Sequence, residues 1–162
     1  MNCLQSRNAI TIFNGPKIYG TIRFHQCNDN TSTLIKFNLY GFDKNKKHAI
    51  HIHEYGDIRK GCTSLGSHWN PENTTHGSLL YNMPTHAGDL INNLETNDQG
   101  GFNFKYYDNR VKLFGEHNIF GRSVVIHDGI DDLGLGGNSE SLKTGNAGGR
   151  IACAIIGISS EF

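Results

Sequence analysis

The sequence predicts an all-β protein, an eight-stranded antiparallel Greek-key β-barrel or flattened sandwich with two long functional loops. Three observations carry this. Apolar residues alternate with period two in several short runs, which is the pattern of half-buried strands. Turn signals such as Asn14-Gly15-Pro16, Asp98-Gln99-Gly100-Gly101 and Asp108-Asn109 separate the runs. No stretch sustains apolar residues at the i, i+3, i+4, i+7 spacing of an amphipathic helix, so long helices are not expected.

Taken in order, the first run is Ala9–Phe13. In Lys17–Gln26, Ile18, Gly20, Ile22 and Phe24 share one face while Tyr19, Thr21, Arg23 and His25 share the other. Leu34–Tyr40 alternates through Ile35, Phe37 and Leu39, and Gly101–Tyr106 through Phe102, Phe104 and Tyr106. The shorter β-rich runs are His48–His53, Val111–Phe114, Ser123–His127 and Ile151–Ile158, which completes eight expected strands. Between them lie two segments without that rhythm, about 54–93 and about 128–150. Loops longer than about 12–15 residues are usually functional or disordered. The Trp69, His and Cys content of the first, and the Gly-rich polar character of the second, mark both as ordered functional loops.

Composition narrows the function classes. At 162 residues the chain is expected to be one domain over 1–162. Fifteen basic and fifteen acidic residues cancel, so no electrostatic footprint for nucleic acid or an anionic membrane is present. The longest apolar run, Ile151–Ile158, is far short of the ~20 residues of a membrane span. Met1–Thr11 lacks the apolar stretch of a signal peptide, and the expected location is the cytoplasm. The abundance of Asn and Ile suits an AT-rich genome, a large DNA virus among the options, for which host-cell cytoplasm or the virus particle would be the setting. The four Cys show no CxxC spacing, so they do not form a thiolate zinc knuckle.

The chemistry lies in the histidines, nine in all. In His51-Ile52-His53 two imidazoles project from the same face of a strand while Ile50 and Ile52 point to the core. A lone pair of this kind is more often simply exposed. Here the first loop adds His68, His76, His86 and Asp89, and His86-Ala87-Gly88-Asp89 puts an imidazole and a carboxylate within one turn. His127 ends a strand opposite in sense to Ile126. Three imidazoles and a carboxylate make a closed four-coordinate set suited to zinc. Imidazole-rich sites suit copper as well, so more than four strong ligands suggest two metals.

The stretches HAIHIHEYGD, GCTSLGSHWNP, HAGDL, GRSVVIHDGIDDLG and KTGNAGGRIACAIIGI, in this order and spacing, resemble the copper–zinc superoxide dismutase family over about residues 14–158. The resemblance implies one copper and one zinc per chain and disproportionation of superoxide to dioxygen and hydrogen peroxide. His51, His53, His68 and His127 would bind copper. His68, His76, His86 and Asp89 would bind zinc, with His68 shared and swinging as the proton carrier. Asp131 would link His51 to His76, and Arg150 would guide and hold the superoxide anion. Cys62 and Cys153 would form the internal disulfide, which leaves Cys3 and Cys27 as ordinary unpaired thiols. A homodimer is implied, with Tyr55, Gly56, Phe120, Gly121, Ile156 and Ile158 at the interface.

Some features depart from the family pattern. The segment between His76 and His86 is one residue longer than the common spacing and carries no charge. The second loop holds Asp128, Asp131, Asp132 and Glu140 against Lys143 alone, with Gly129 and Leu135 where many relatives have Lys, so weak electrostatic steering is expected. No Pro flanks Arg150, which points to copper loading without a dedicated chaperone. The rival readings are a non-catalytic copper store, delivery module or decoy, and a zinc-only interaction domain. The presence of every ligand together with Asp131 and Arg150 speaks against them.

Overall fold

The computed structural model describes Cys3 and residues 5–162. Eight antiparallel strands form a nearly closed barrel. They are β1 (Arg7–Asn14), β2 (Tyr19–Gln26), β3 (Thr33–Tyr40), β4 (Lys47–His53), β6 (Asn93–Glu95), β7 (Phe102–Asp108), β8 (Ser123–His127) and β9 (Arg150–Ser159), in the spatial order β6-β4-β8-β9-β1-β2-β3-β7. A further short strand, β5 (Arg59–Cys62), lies outside this order in the first loop. The edge strands β6 and β7 are joined by a tight turn over 96–101, in which Asn97 Oδ1 accepts from the Gly101 backbone and Gly100 takes a positive φ of 74°.

The alternation read from the sequence becomes the core. Ile22 and Phe24 of β2, Ile35, Phe37 and Leu39 of β3, Ile50 and Ile52 of β4, and Val124 and Ile126 of β8 are all fully buried in one cluster. Phe37 anchors it, with its ring 5.5 Å from Phe102 and 6.1 Å from Tyr106. Residues Ala49–His53 of β4 and all of β8 are buried on both faces. One face of these two strands meets the core, and the other is covered by the long loops. This is how His51 and His53 come to be buried although they alternate with core isoleucines.

Four expectations are corrected. Val111–Phe114 is not a strand: it makes a single bridge, Lys112 to Asn118. Val111 and Leu113 are buried, but their backbone is satisfied by side chains, the Val111 carbonyl accepting from Thr33 Oγ1 at 2.6 Å and the Leu113 amide donating to Gln26 Oε1 at 2.7 Å. The first loop contains structure that periodicity did not reveal: β5, the start of β6 and two single-turn 3₁₀ helices, Leu79–Tyr81 and Ala87–Asp89. Cys3 and Cys27 are not unpaired; they form a disulfide with Cα atoms 5.1 Å apart, beside the expected Cys62–Cys153 bridge at 5.7 Å. Ile156 points into the core at 1 % exposure, which removes it from any surface patch, whereas Ile158, two residues on, is exposed. Both residues pair with β1, but on the other side of β9 the Gly121 and Arg122 backbones bond to Ile156, whereas the pairing with β8 has already ended at Ile155.

Truncating Phe37 to Ala should cost about 3–5 kcal/mol, as for other buried aromatic side chains. Urea unfolding monitored by circular dichroism measures it, and a loss under 1 kcal/mol would mean that this ring is not central to the core.

Candidate metal centre

Strands β4 and β8 and the two loops bring every expected ligand into one buried place. His51, His53, His68 and His127 form one group and His68, His76, His86 and Asp89 a second, with ligand atoms in each group within 4.8 Å of one another. His68 belongs to both. Its ring centroid lies 3.9 Å from that of His51, 5.1 Å from His53, 5.4 Å from His76 and 5.5 Å from His86.

Local structure explains the placement. His51 and His53 sit two apart on β4, next to β8. His127 follows an irregularity in the β8–β9 register, so that it pairs with Arg150; bulges of this kind commonly re-aim a side chain beside an active site. The His68 segment is pinned to β4 by the Trp69 amide donating to the Ile52 carbonyl at 2.8 Å. In turn, the Trp69 carbonyl accepts from Gly88 at 2.8 Å. A side chain at Gly88 would collide with the Ile52 carbonyl, so only glycine lets the 3₁₀ turn lie this close. Asp89 closes that turn, its Oδ2 accepting from the His86 amide at 2.7 Å and from Thr85 Oγ1 at 2.8 Å.

The nitrogens of each ring divide into held and free. A carbonyl or carboxylate oxygen can only accept, so each ring nitrogen bonded to one carries the proton and leaves the other as a ligand. His53 Nδ1 donates to the Gly66 carbonyl at 3.0 Å and His127 Nδ1 to the Gly148 carbonyl at 3.3 Å. His51 Nε2 donates to Asp131 Oδ2 at 2.7 Å, and His76 Nε2 to Asp131 Oδ1 at 2.9 Å. What remains is His51 Nδ1, His53 Nε2, His68 Nε2 and His127 Nε2, all buried and all without a hydrogen-bond partner among the described residues. Orphaned buried polar atoms are rare and call for a partner. Four of them from one cluster fit a cation that takes nitrogen ligands.

The second group fits a cation equally well. Nδ1 of His68, His76 and His86 lie 2.9, 3.0 and 3.0 Å from the same oxygen, Asp89 Oδ1. His76 Nδ1 is out of line for a hydrogen bond there and is itself orphaned. Three imidazoles and one carboxylate are a zinc-type donor set.

Electrostatics follow from burial and partners. Burial, with the neighbouring His68 ring, lowers the pKa of His51 to about 3 and of His53 to about 2. Burial lowers His127 to about 4, and His68 is shifted downward for the same reason. This group therefore presents neutral imidazoles at neutral pH, the form that binds metal. At His76 burial also opposes charge, but Asp131 and Asp89 outweigh it and raise the pKa to about 9. Burial alone would raise Asp89 and Asp131; the hydrogen bonds from the histidines hold both well below the usual carboxylate range.

Arg150 lies at the mouth. It lines a cavity of about 420 Å³ with His53, His68, His127 and Gly148. Its Nη1 and Nη2 donate to the carbonyls of Cys62 at 2.6 Å and Gly66 at 2.7 Å, which fixes the guanidinium. Sequence reasoning missed several residues here. Asn92 donates to Asp131 Oδ2 at 3.0 Å, and Asn93 and Asp131 exchange side chain–backbone bonds in both directions. Gly145 has a positive φ of 63°, and any side chain there would run into the Asp131 carboxylate and the His76 ring. Gly145 caps the one-turn helix Ser141–Thr144, its amide donating to the Ser141 carbonyl, and nothing in the sequence tied it to the site.

A Greek-key barrel with two adjoining ligand groups and a shared histidine defines a binuclear metalloprotein. Residues 18–156 match the family model described as copper/zinc superoxide dismutase. The chain is 49 % identical over 153 residues to a Cu-Zn superoxide dismutase of Claviceps purpurea, covering 94 % of this chain and 98 % of that protein. It is 44 % identical over 161 residues to one of Paramecium bursaria Chlorella virus 1, covering 99 % and 83 %. A solved structure, that of the clock protein EA4, superposes with a TM-score of 0.86 at 37 % identity, covering 94 % of each chain. The chain belongs to the copper/zinc superoxide dismutase family. Its activity is superoxide dismutation, and copper and zinc are its cofactors.

Gly145→Ala should push the Asp131 carboxylate off His51 and His76 and weaken metal retention about 10–100-fold, the usual cost of losing a group that orients the ligands. Competition against a chromogenic chelator measures this. Unchanged retention of both metals would show that Asp131 does not orient the rings.

Proposed function

We propose that superoxide is turned over at the mouth of the His51, His53, His68 and His127 group, with Arg150 receiving the anion and His68 supplying a proton. The observation that carries this is the set of four orphaned imidazole nitrogens under a cavity whose rim holds Arg150. Copper held there would supply the one-electron exchange by which one superoxide is oxidised to dioxygen and a second is reduced, while zinc in the second group would fix the shared ligand. The residues do the rest. Arg150 spends two donors on backbone carbonyls and turns the remainder of its planar fork to a small anion. His68 Nδ1 is held at Asp89, so Nε2 is the atom that takes up a proton and passes it to peroxide. Asp131 keeps Nε2 of His51 and His76 protonated and both rings in place.

Steering toward this mouth is weak in our reading. Lys143, the only cation among residues 128–149, lies 3.5 Å from Glu140, and the acidic side chains of that loop outnumber it. Stopped-flow superoxide decay on copper- and zinc-loaded protein tests both points. Arg150→Ala should lower kcat/KM by about tenfold or more, the low end of what a focused positive field gives. The wild-type rate should fall only shallowly with added salt. An unchanged rate in the variant removes Arg150 from the anion path, and a steep salt dependence refutes weak steering.

A second copy of the chain is the proposed partner. The patch consists of Tyr55 at 52 % exposure and Ile158 at 82 %, with Gly56, Phe120 and Gly121 beside them. A symmetric dimer would bury the same patch on both copies. Ile158→Glu should yield monomers in sedimentation velocity at concentrations where the parent is dimeric; identical sedimentation would overturn the interface. The proposed setting is the cytoplasm, with copper loading independent of a dedicated chaperone, in line with Gly149 and Ile151 flanking Arg150. No helix of the described residues is long and apolar enough to cross a membrane.

A further inference from the structure

A second cluster of metal-binding side chains lies away from the residues described above. Cys3, His25 and Cys27 bring two sulfurs and a ring nitrogen within 4.8 Å of one another. In the structure the two sulfurs are joined as a disulfide. Cys3 is exposed and His25 and Cys27 are half-exposed, so ions and small oxidants reach them. Proteins of reducing compartments keep such thiols free unless something oxidises them.

The His25 ring is held by one of its nitrogens. Asn8 stands directly opposite it in the β1–β2 ladder, and its Oδ1 lies 2.7 Å from His25 Nδ1. An amide oxygen only accepts, so Nδ1 carries the proton and the lone pair is on Nε2. The Phe162 ring packs against the imidazole at 5.4 Å and limits its rotation. Metal-binding histidines are held in this way, with one nitrogen bonded to a fixed oxygen. This imidazole is half-exposed, and among the described residues its hydrogen-bond and ring partners are Asn8 and Phe162, neither of them a dismutase ligand.

We propose that the reduced Cys3 and Cys27 thiolates and His25 Nε2 form a soft-cation site for Cu(I), and that peroxide closes it by oxidising the two sulfurs to the disulfide. Two thiolates and one imidazole select Cu(I) over harder ions. Zinc in a structural site asks for four ligands, and no fourth His, Cys, Asp or Glu joins the cluster among the described residues. The oxidant is the product of the dismutation itself. One hydrogen peroxide takes two electrons from the two thiolates, its O–O bond breaks, the S–S bond forms, and with two protons from solvent two water molecules leave. Disulfide sulfur no longer offers a thiolate, so the copper ion departs. A chain turning over superoxide thus switches its own accessory copper site according to the peroxide around it.

The test uses holoenzyme with both dismutase metals in place. Mild reduction should free two thiols per chain while peptide mass spectrometry finds Cys62–Cys153 intact. Titration with Cu(I) against a chromogenic Cu(I) chelator should then register one further equivalent per chain, with ultraviolet thiolate-to-copper absorption. Cys27→Ser should abolish that equivalent and leave the dismutation rate unchanged. Asn8→Leu should weaken it about 10–100-fold by releasing the ring. Adding one equivalent of hydrogen peroxide should consume both thiols, restore the Cys3–Cys27 crosslink and hand the copper to the chelator. Absence of the extra equivalent in the reduced holoenzyme overturns the site, as does undiminished affinity in His25→Ala. Thiols that survive peroxide, or copper that stays bound after they are consumed, overturn the switch.

Discussion

The two ligand groups depend on one buried carboxylate. Asp131 is 2 % exposed, and a carboxylate there would be very costly without donors around it. Four are supplied: Oδ2 accepts from His51 Nε2 and Asn92 Nδ2, and Oδ1 from His76 Nε2 and the Leu133 amide. Charge-assisted bonds of this kind are short and strong. Because Asp131 takes Nε2 of one ring from each group, it dictates that both offer Nδ1 to metal. It also fixes the distance between a ring on barrel strand β4 and a ring on the first loop. The carboxylate is in turn positioned by Asn93 at the start of β6, through its paired bonds to the Asp131 backbone. The spacing of the metal sites is therefore set by the edge of the barrel.

Much of this was legible in the residues. Period-two alternation located β2, β3 and β7, β-rich runs located β1, β4, β8 and β9, and His51-Ile52-His53 could be read as two ligands on one face because side chains two apart on a strand point the same way. His86-Ala87-Gly88-Asp89 was legible because a single turn is enough to bring its ends together. Other parts leave no such mark. Strands β5 and β6 are too short to show a period. Val111–Phe114 has the burial of a strand, but side chains of Gln26 and Thr33 stand in for the ladder. The Gly66 and Gly148 carbonyls orient His53 and His127, and a backbone acceptor has no residue-type signature. Asn92 is one Asn among eighteen. Disulfide connectivity cannot be deduced from spacing, and the Cys3–Cys27 pair, just outside the β1–β2 ladder, belongs to no motif.

Catalytic loops are ordinarily the mobile part of a fold, and here they carry most of the ligands. What stiffens them is backbone hydrogen bonding between the loops themselves. The His76 amide donates to the Leu142 carbonyl, joining the first loop to the second. Within the second loop, the amides of Asp128, Gly129 and Asp132 donate to the carbonyls of Gly149, Ala147 and Gly145 in turn, a ladder that continues past the end of β8. Asp132 accepts from Ser141 Oγ and Asn146 Nδ2, which ties the one-turn helix over Ser141–Thr144 to the same ladder. Glycines at Gly134, Gly137, Gly145 and Gly148 take the positive φ values such close turns require.

The same bonding connects substrate capture to metal orientation. The Gly66 carbonyl accepts from both His53 Nδ1 and Arg150 Nη2, so the anion-receiving guanidinium and one ligand ring share a single oxygen as their reference point. Arg150 also donates to the Cys62 carbonyl, and Cys62 is bonded to Cys153 three residues along β9 from Arg150. The disulfide thus closes a ring of contacts running from β9 through Cys62 and back to β9 at Arg150. Opening that bridge releases the loop that supplies both carbonyls, and the first groups to lose their orientation are Arg150 and His53. The bridge therefore bears on the geometry of the mouth as directly as on the stability of the barrel.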